Sequence, residues 1–433
     1  MKKSIIFILI TAFLLAACAQ SGEATPSEAA PAEESTNMEE AAPAEKTVVQ
    51  VLSWWDYTTS TPLQELKAGF EAENPDLELE FIQVGEGYAD KVLTMIAGGG
   101  EMPDVMMLAM DKVPFFADRG AIQNLDSYIS DDYKNELYPF VLDALTYDGS
   151  VYAVARDVTP KVMFLNTDLF TAAGLDIPSA DWTWDDFKAL ASQLTVKDDG
   201  GQTTQWGFYF PKYADGFAHW IMQNDATLVS ADGMTSTLDS ANAIEAINFL
   251  RDMILVDGSI PTESQAQQFG TSGNAPFLAN KVAMVAGGLS TTVSLDDAGI
   301  NYTVLPLPKG KLDLNTAFVN AWTIPTGAKD PDLSWRVMEY FSTNGQQIVL
   351  DTGMGLPASN SVDTSEFVAA HDFNRYFIEA MDTAVPFPAP LYGADYWTLI
   401  KTEFDLMWLG DISVEDAVSS VVEQGNLILS GEN

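Results

Sequence analysis

The 433-residue chain carries 62 Asp+Glu against 21 Lys+Arg, a formal charge of −41, with one cysteine and two histidines. So acidic a surface excludes nucleic acid and anionic lipid as partners, since both recruit Lys and Arg, and a single cysteine excludes a disulfide framework or a Cys-built zinc site. With 47% hydrophobic and 19% charged residues the chain can bury a large core, and its length predicts two or more folded units.

Lys2 and Lys3 precede an apolar run, 5–15, too short to span a bilayer as a mature helix. The run ends in Leu15-Ala16-Ala17-Cys18, which resembles a bacterial lipobox, with Cys18 as the residue that takes the lipid. The expectation is a lipoprotein signal peptide over 1–17 and a lipidated Cys18; an ordinary secretory signal with an incidental cysteine is the alternative. Residues 19–46 hold seven Glu, one Lys and three Pro. That composition predicts a disordered acidic tether with a reach of roughly 30 Å. The protein is then expected on the outer face of the membrane or in the periplasm, touching the membrane through its anchor alone.

From residue 47 the pattern becomes globular. Residues 48–52 read as a buried strand, 62–72 as a helix broken by Asn74-Pro75, and 77–81 as an alternating strand. A helix over 88–97 is stopped by Gly98-Gly99-Gly100, and a strand follows at 104–108. The triple glycine ends a helix and no Gly-Lys-Ser/Thr follows, so it reads as a helix stop and not as a phosphate loop. Strand–helix alternation argues for an α/β fold with a largely parallel sheet. Further on come strands at 162–165 and 282–286. Thr183 is placed to cap a helix with Asp185 and Asp186 in its first turn. Helices are expected at 217–223, 240–256, 331–350, 376–381, 394–409 and 414–425.

Several short segments recur in a recognisable order. They are Ser53-Trp54-Trp55-Asp56, Gly98-Gly99-Gly100-Glu101-Met102-Pro103-Asp104-Val105 and Asn166-Thr167-Asp168-Leu169-Phe170 with Ala173-Gly174-Leu175, then Trp184-Asp185-Asp186-Phe187, Lys281-Val282-Ala283-Met284, Pro306-Leu307-Pro308 and Gly355-Leu356-Pro357. Over essentially all of 47–433 this order and spacing resemble the extracellular solute-binding proteins of ABC importers, in the carbohydrate group similar to maltose-binding protein. The resemblance implies a two-lobed, periplasmic-binding-protein-like (type II) α/β fold with three hinge crossings. It places an N-lobe at 47–156 plus 322–368 and a C-lobe at 157–321 plus 369–433. It implies a monomer with no cofactor and no catalysis, which captures a sugar between the lobes, closes, and delivers it to the permease subunits.

A sugar needs aromatic platforms for its CH faces and polar side chains for its hydroxyls. Trp54, Trp55 and Asp56 follow the first strand, at the strand end where open α/β sheets bind ligands. Adjacent tryptophans cannot both enter the core, because successive strand side chains alternate; Asp56 serves the ligand or caps the next turn. The resemblance puts Tyr88 in the cleft, with the core as the alternative. Asp104 reads as structural, and Asp111, just after the third strand, as a cleft residue. Arg156-Asp157 offers a fork for vicinal hydroxyls or a hinge salt bridge. Trp220 and Asn224, beside His219 and Gln223, offer polar groups around an indole, or a core indole. The resemblance adds a Gly-rich ligand loop at Gly287-Gly288, a platform at Trp322 by the second crossing, and Tyr392 and Trp397 on the final segment. The loop after 286 has no aromatic, a departure from the maltose-binding pattern. A binder of polyamine or oligopeptide is the alternative function, and a surface glycosidase the weaker one: no Gly-x-Ser-x-Gly or other catalytic motif stands out.

Overall fold

The structure is a computed structural model that describes residues 46–432 apart from Glu86, Gly100, Thr271 and Ser272. The leader, Cys18 and all of the tether but Lys46 lie outside the described residues. Thirteen strands occur in chain order: β1 Thr47–Ser53, β2 Leu77–Gln83, β3 Val105–Ala109, β4 Thr146–Tyr147, β5 Ser150–Val151, β6 Val154–Pro160, β7 Val162–Asn166, β8 Val196–Lys197, β9 Thr203–Tyr209, β10 Val282–Gly287, β11 Tyr302–Leu305, β12 Asn315–Thr323 and β13 Ala384–Pro386.

They form two main sheets. The first has the order β13-β12-β3-β1-β2, with β6 also paired to β12; the second has the order β11-β7-β10-β9-β8. β1 is parallel to β2 and β3, as the alternation predicts. Both sheets are nonetheless mixed: β12 runs antiparallel to β3 and β6, and β7 antiparallel to β10 and β11. The cause is that β7 and β12 arrive directly from the other sheet, without a crossover helix, and β6 leads straight out into β7. The sheets exchange the chain at 160–162 and between 305 and 315, a few residues from the expected 156/157 and 321/322, because β6 and β12 run on as one ladder.

Local signals set most helix ends. Thr183 and Asp186 form a capping box on the helix Trp184–Gln193. Asn74 ends Thr61–Glu73 with both its backbone N–H and its side-chain amide donating to the Phe70 carbonyl. The single helix expected over 331–350 is two, Pro331–Ser342 and Gly345–Asp351, separated by a non-helical Thr343. Tertiary packing overrides propensity here. A Cβ on Gly345 would lie 2.7 Å from Leu66 Cδ2, and Gln346 turns inward to donate to the Arg156 carbonyl at 2.9 Å.

Alternation along the strands divides the first sheet's faces. Val51, Val105 and Trp322 pack with Leu66, Phe70, Val337 and Phe341, whereas Leu52, Met106 and Leu108 join Val92, Val113 and Phe116. In the second sheet Phe208 meets Phe187 and Trp220 edge-on. The helix Trp184–Gln193 approaches β9 so closely that a Cβ on Gly207 would sit 2.0 Å from the Ala191 carbonyl oxygen. Gly207→Ala should therefore cost roughly 3 kcal/mol or more, read as a lowered urea midpoint, while Gly85→Ala, exposed and with nothing near its Cβ position, moves it far less. Among the described residues no helix is long and apolar enough to cross a membrane.

Candidate functional site

β1 and β3 end side by side, and the chain leaving β1 turns at once. Ser53 Oγ accepts the Trp55 N–H at 2.9 Å, and both indoles sit at the strand's C-terminal end, half-buried and packed in part against the core on that face. The Arg156 guanidinium carbon lies 4.3 Å from the Trp55 ring centroid and 5.1 Å from that of Trp54. Trp54 meets Tyr88 edge-on at 5.4 Å. The Tyr88 hydroxyl donates to the Met107 carbonyl at 2.8 Å, and burial pushes its pKa well above the usual phenol range.

Arg156 and Asp157 are 2% and 1% exposed and ion-paired. Arg156 also donates to Met107 Sδ at 3.3 Å, and Asn320 Nδ2 donates to Asp157 Oδ1 at 2.8 Å. The guanidinium fork is spent on the protein, so of the two expected roles the structure has the hinge salt bridge. Its cation backs the two indoles, an arrangement favoured by their quadrupoles.

On β6, Asp157 and Thr159 stand two apart, opposite Asn320 and Phe318 of β12, and Lys161 follows at the same spacing just past the strand. This row leads from the tryptophans to the second sheet. There a Cβ on Gly288 would sit 2.2 Å from Thr159 Cγ2, so glycine is required for the loop to meet the hinge strand. Beside it opens a cavity of about 250 Å³ lined by residues of both sheets, among them Thr159, Lys161, Phe210, Asp215, Gly288 and Phe318. Lys161 Nζ donates to Asp215 Oδ2 at 2.7 Å. His219 edges the cavity, 1% exposed, and neither ring nitrogen has a partner among the described residues. Burial, helped by Lys161, holds its pKa well below the usual imidazole value.

The other expected residues fall in three places. Asp111, ion-paired with Lys112 at 2.9 Å, lines a second cavity of about 200 Å³ that faces Leu391 and Gly393. Tyr392 lines a groove of about 590 Å³ with residues 230–234 and 388–391. Trp397 is half-buried against Phe387, which in turn meets Phe318 on the hinge strand at 6.0 Å.

Four expectations are corrected. Asp56 caps its own turn, accepting Thr58 N–H at 2.9 Å and Thr58 Oγ1 at 2.7 Å, and these bonds lower its pKa. Trp220 has no exposed surface and packs among Trp184, Phe187, Phe208 and Phe249. Asn224 spends its amide on the Asn242 carbonyl and Glu245, inside the second lobe. Trp322 shares a face of β12 with Asn320, but the helix Pro331–Ser342 covers that face from Trp322 onward; its ring lies 4.9 Å from Phe341 and is fully buried. Thr159, Lys161 and Asp215 went unnoticed. The polar spacing of two through 157, 159 and 161 was the available signal.

Comparison with known proteins accords with this geometry. Residues 55–348 match the family described as bacterial extracellular solute-binding protein. A binding protein of Brucella abortus is 25% identical over 288 residues, 65% of this chain and 68% of the relative. The maltotriose-binding protein of Pyrococcus abyssi is 23% identical over 302 residues, 67% of this chain and 62% of the relative. An ABC substrate-binding protein of Listeria monocytogenes, solved in complex with cycloalternan, superposes with a TM-score of 0.79 at 24% identity, covering 89% of this chain and 100% of that one. The fold is that of the two-lobed binding proteins, and the chain belongs to the bacterial extracellular solute-binding protein family.

Proposed function

We propose that this chain is a lipid-anchored receptor that binds a sugar or oligosaccharide between its lobes and delivers it to an ABC importer, acting as a monomer and without catalysis. The observation that carries the reading is the pair of half-buried indoles, Trp54 and Trp55, held against Arg156 at the head of the polar row Asp157, Thr159 and Asn320. Flat apolar faces beside hydroxyl partners suit a sugar ring. The maltotriose-binding relative and the cycloalternan complex support the same ligand class. The lobes hinge where the β6–β12 ladder passes between the sheets, near the 156/157 and 321/322 boundaries, and at a third crossing near 368/369. Ligand drives closure to the extent that it binds the closed form more tightly.

A thermal-shift screen against neutral oligosaccharides, polyamines and peptides tests this. A ligand at 100 times its Kd stabilises by about 2.7 kcal/mol. A neutral sugar should raise the melting temperature and polyamines should not; a shift with polyamines alone would replace the reading. Trp54→Ala and Trp55→Ala should each weaken the sugar at least about tenfold by calorimetry, with circular dichroism unchanged.

A further inference from the structure

We propose that the cavity of about 250 Å³ at the end of the second sheet seats one neutral sugar ring, and that Lys161, Asp215 and His219 select it against acidic and amino sugars. This rests on the sugar-receptor reading above.

The charges come first. Lys161 and Asp215 are the charged side chains lining this cavity among the described residues, and they are bonded to each other at 2.7 Å, with Lys161 only 13% exposed. A carboxylate entering here would meet Asp215 and a cation already paired. An ammonium would meet Lys161 and a carboxylate already paired. The chain's formal charge of −41 draws cations towards the whole molecule, so rejection of an amino sugar must come from this local balance.

His219 supplies the second argument. Its neutral ring carries one donor and one acceptor, neither with a partner among the described residues, in a place where an unmet polar group is costly. A hydroxyl can both donate and accept, so a polyol satisfies either nitrogen; a carboxylate or an ammonium satisfies one. Half-buried Phe318 provides apolar surface for the ring's CH face, and Gly288 keeps the wall thin where it meets Thr159.

The experiment is calorimetry on the full folded chain. The probes are the neutral mono- to tetrasaccharide that most stabilises the wild type and its counterparts with a uronic acid or a 2-amino sugar as the terminal ring. The wild type should prefer the neutral sugar by at least about tenfold over either. Asp215→Asn should close the gap for the acidic sugar and Lys161→Met the gap for the amino sugar. Lys161→Arg should keep the wild-type preference, which separates loss of charge from misfolding. His219→Phe should weaken the neutral sugar about tenfold with an unchanged melting temperature. Equal shifts for all three sugars in both charge variants, or equal binding of all three by the wild type, would overturn the selection while leaving the receptor intact. If no sugar bound the wild type, the receptor reading would fall and this one with it.

Discussion

Asp157→Ala should melt about 5–10 °C below the wild-type protein, following a loss of about 3–5 kcal/mol. Arg156 and Asp157 are nearly inaccessible to solvent. Removing the carboxylate leaves a guanidinium buried against Met107 Sδ and two indoles, with no anion to compensate it. Asn320 also loses its acceptor. The double variant Arg156→Met/Asp157→Leu should recover much of the stability, because an apolar replacement of a buried pair carries no desolvation cost. It should not recover sugar binding, since the cation that backs Trp54 and Trp55 is gone. A single variant melting within a degree of the wild type would show that the pair is hydrated and the hinge looser than described.

Lys212→Met should stabilise the protein, and by an amount that depends on pH. The Lys212 side chain is 3% exposed; its ammonium donates to the Phe210 carbonyl at 3.1 Å and lies 3.7 Å from the Phe210 ring centroid. Burial brings its pKa from 10.5 down to about 7, against the pull of Glu263 and Asp405. Between those values the unfolded chain holds a proton that the folded chain has released. This contribution to stability is therefore complete above pH 10.5 and lost as pH falls to about 7. The full difference is at most about 5 kcal/mol. Urea midpoints at pH 7, 8.5 and 10 should show the Met variant well ahead at pH 7 and level with the wild type near pH 10. Parallel curves would mean that Lys212 stays charged in the folded protein.

Much of this was legible in the residues. Strands β1 to β3 and their intervening helices follow from periodicity, and the capping box at Thr183 was readable from the spacing of its side chains. For the two adjacent tryptophans after β1, alternation indicated that they cannot both enter the core, and both are half-buried. Most of the misreadings share one cause: information that lives between distant segments. The mixed sheets arise because β6, β7 and β12 pass between them, and nothing local encodes that pairing. Whether Trp322 serves the cleft or the core depends on a helix that begins at Pro331, and Trp220 disappears into an aromatic cluster drawn from three other elements. Lys161 and Asp215 stand 54 residues apart, so their pairing has no sequence signature. In contrast, Asp56 took the turn-capping role, the other reading its position allowed, because a short polar side chain satisfies nearby backbone as readily as a ligand; Asn224 is held by Asn242 and Glu245, 18 and 21 residues on.

The most direct test of the sugar site is a crystal structure of the chain with the neutral sugar that stabilises it most. The predicted result is a ring stacked on Trp54 or Trp55, hydroxyls bonded along the row from Asn320 to Thr159, and the Arg156–Asp157 pair intact beneath. Density confined to the groove along 388–392, with both indoles bare, would contradict it.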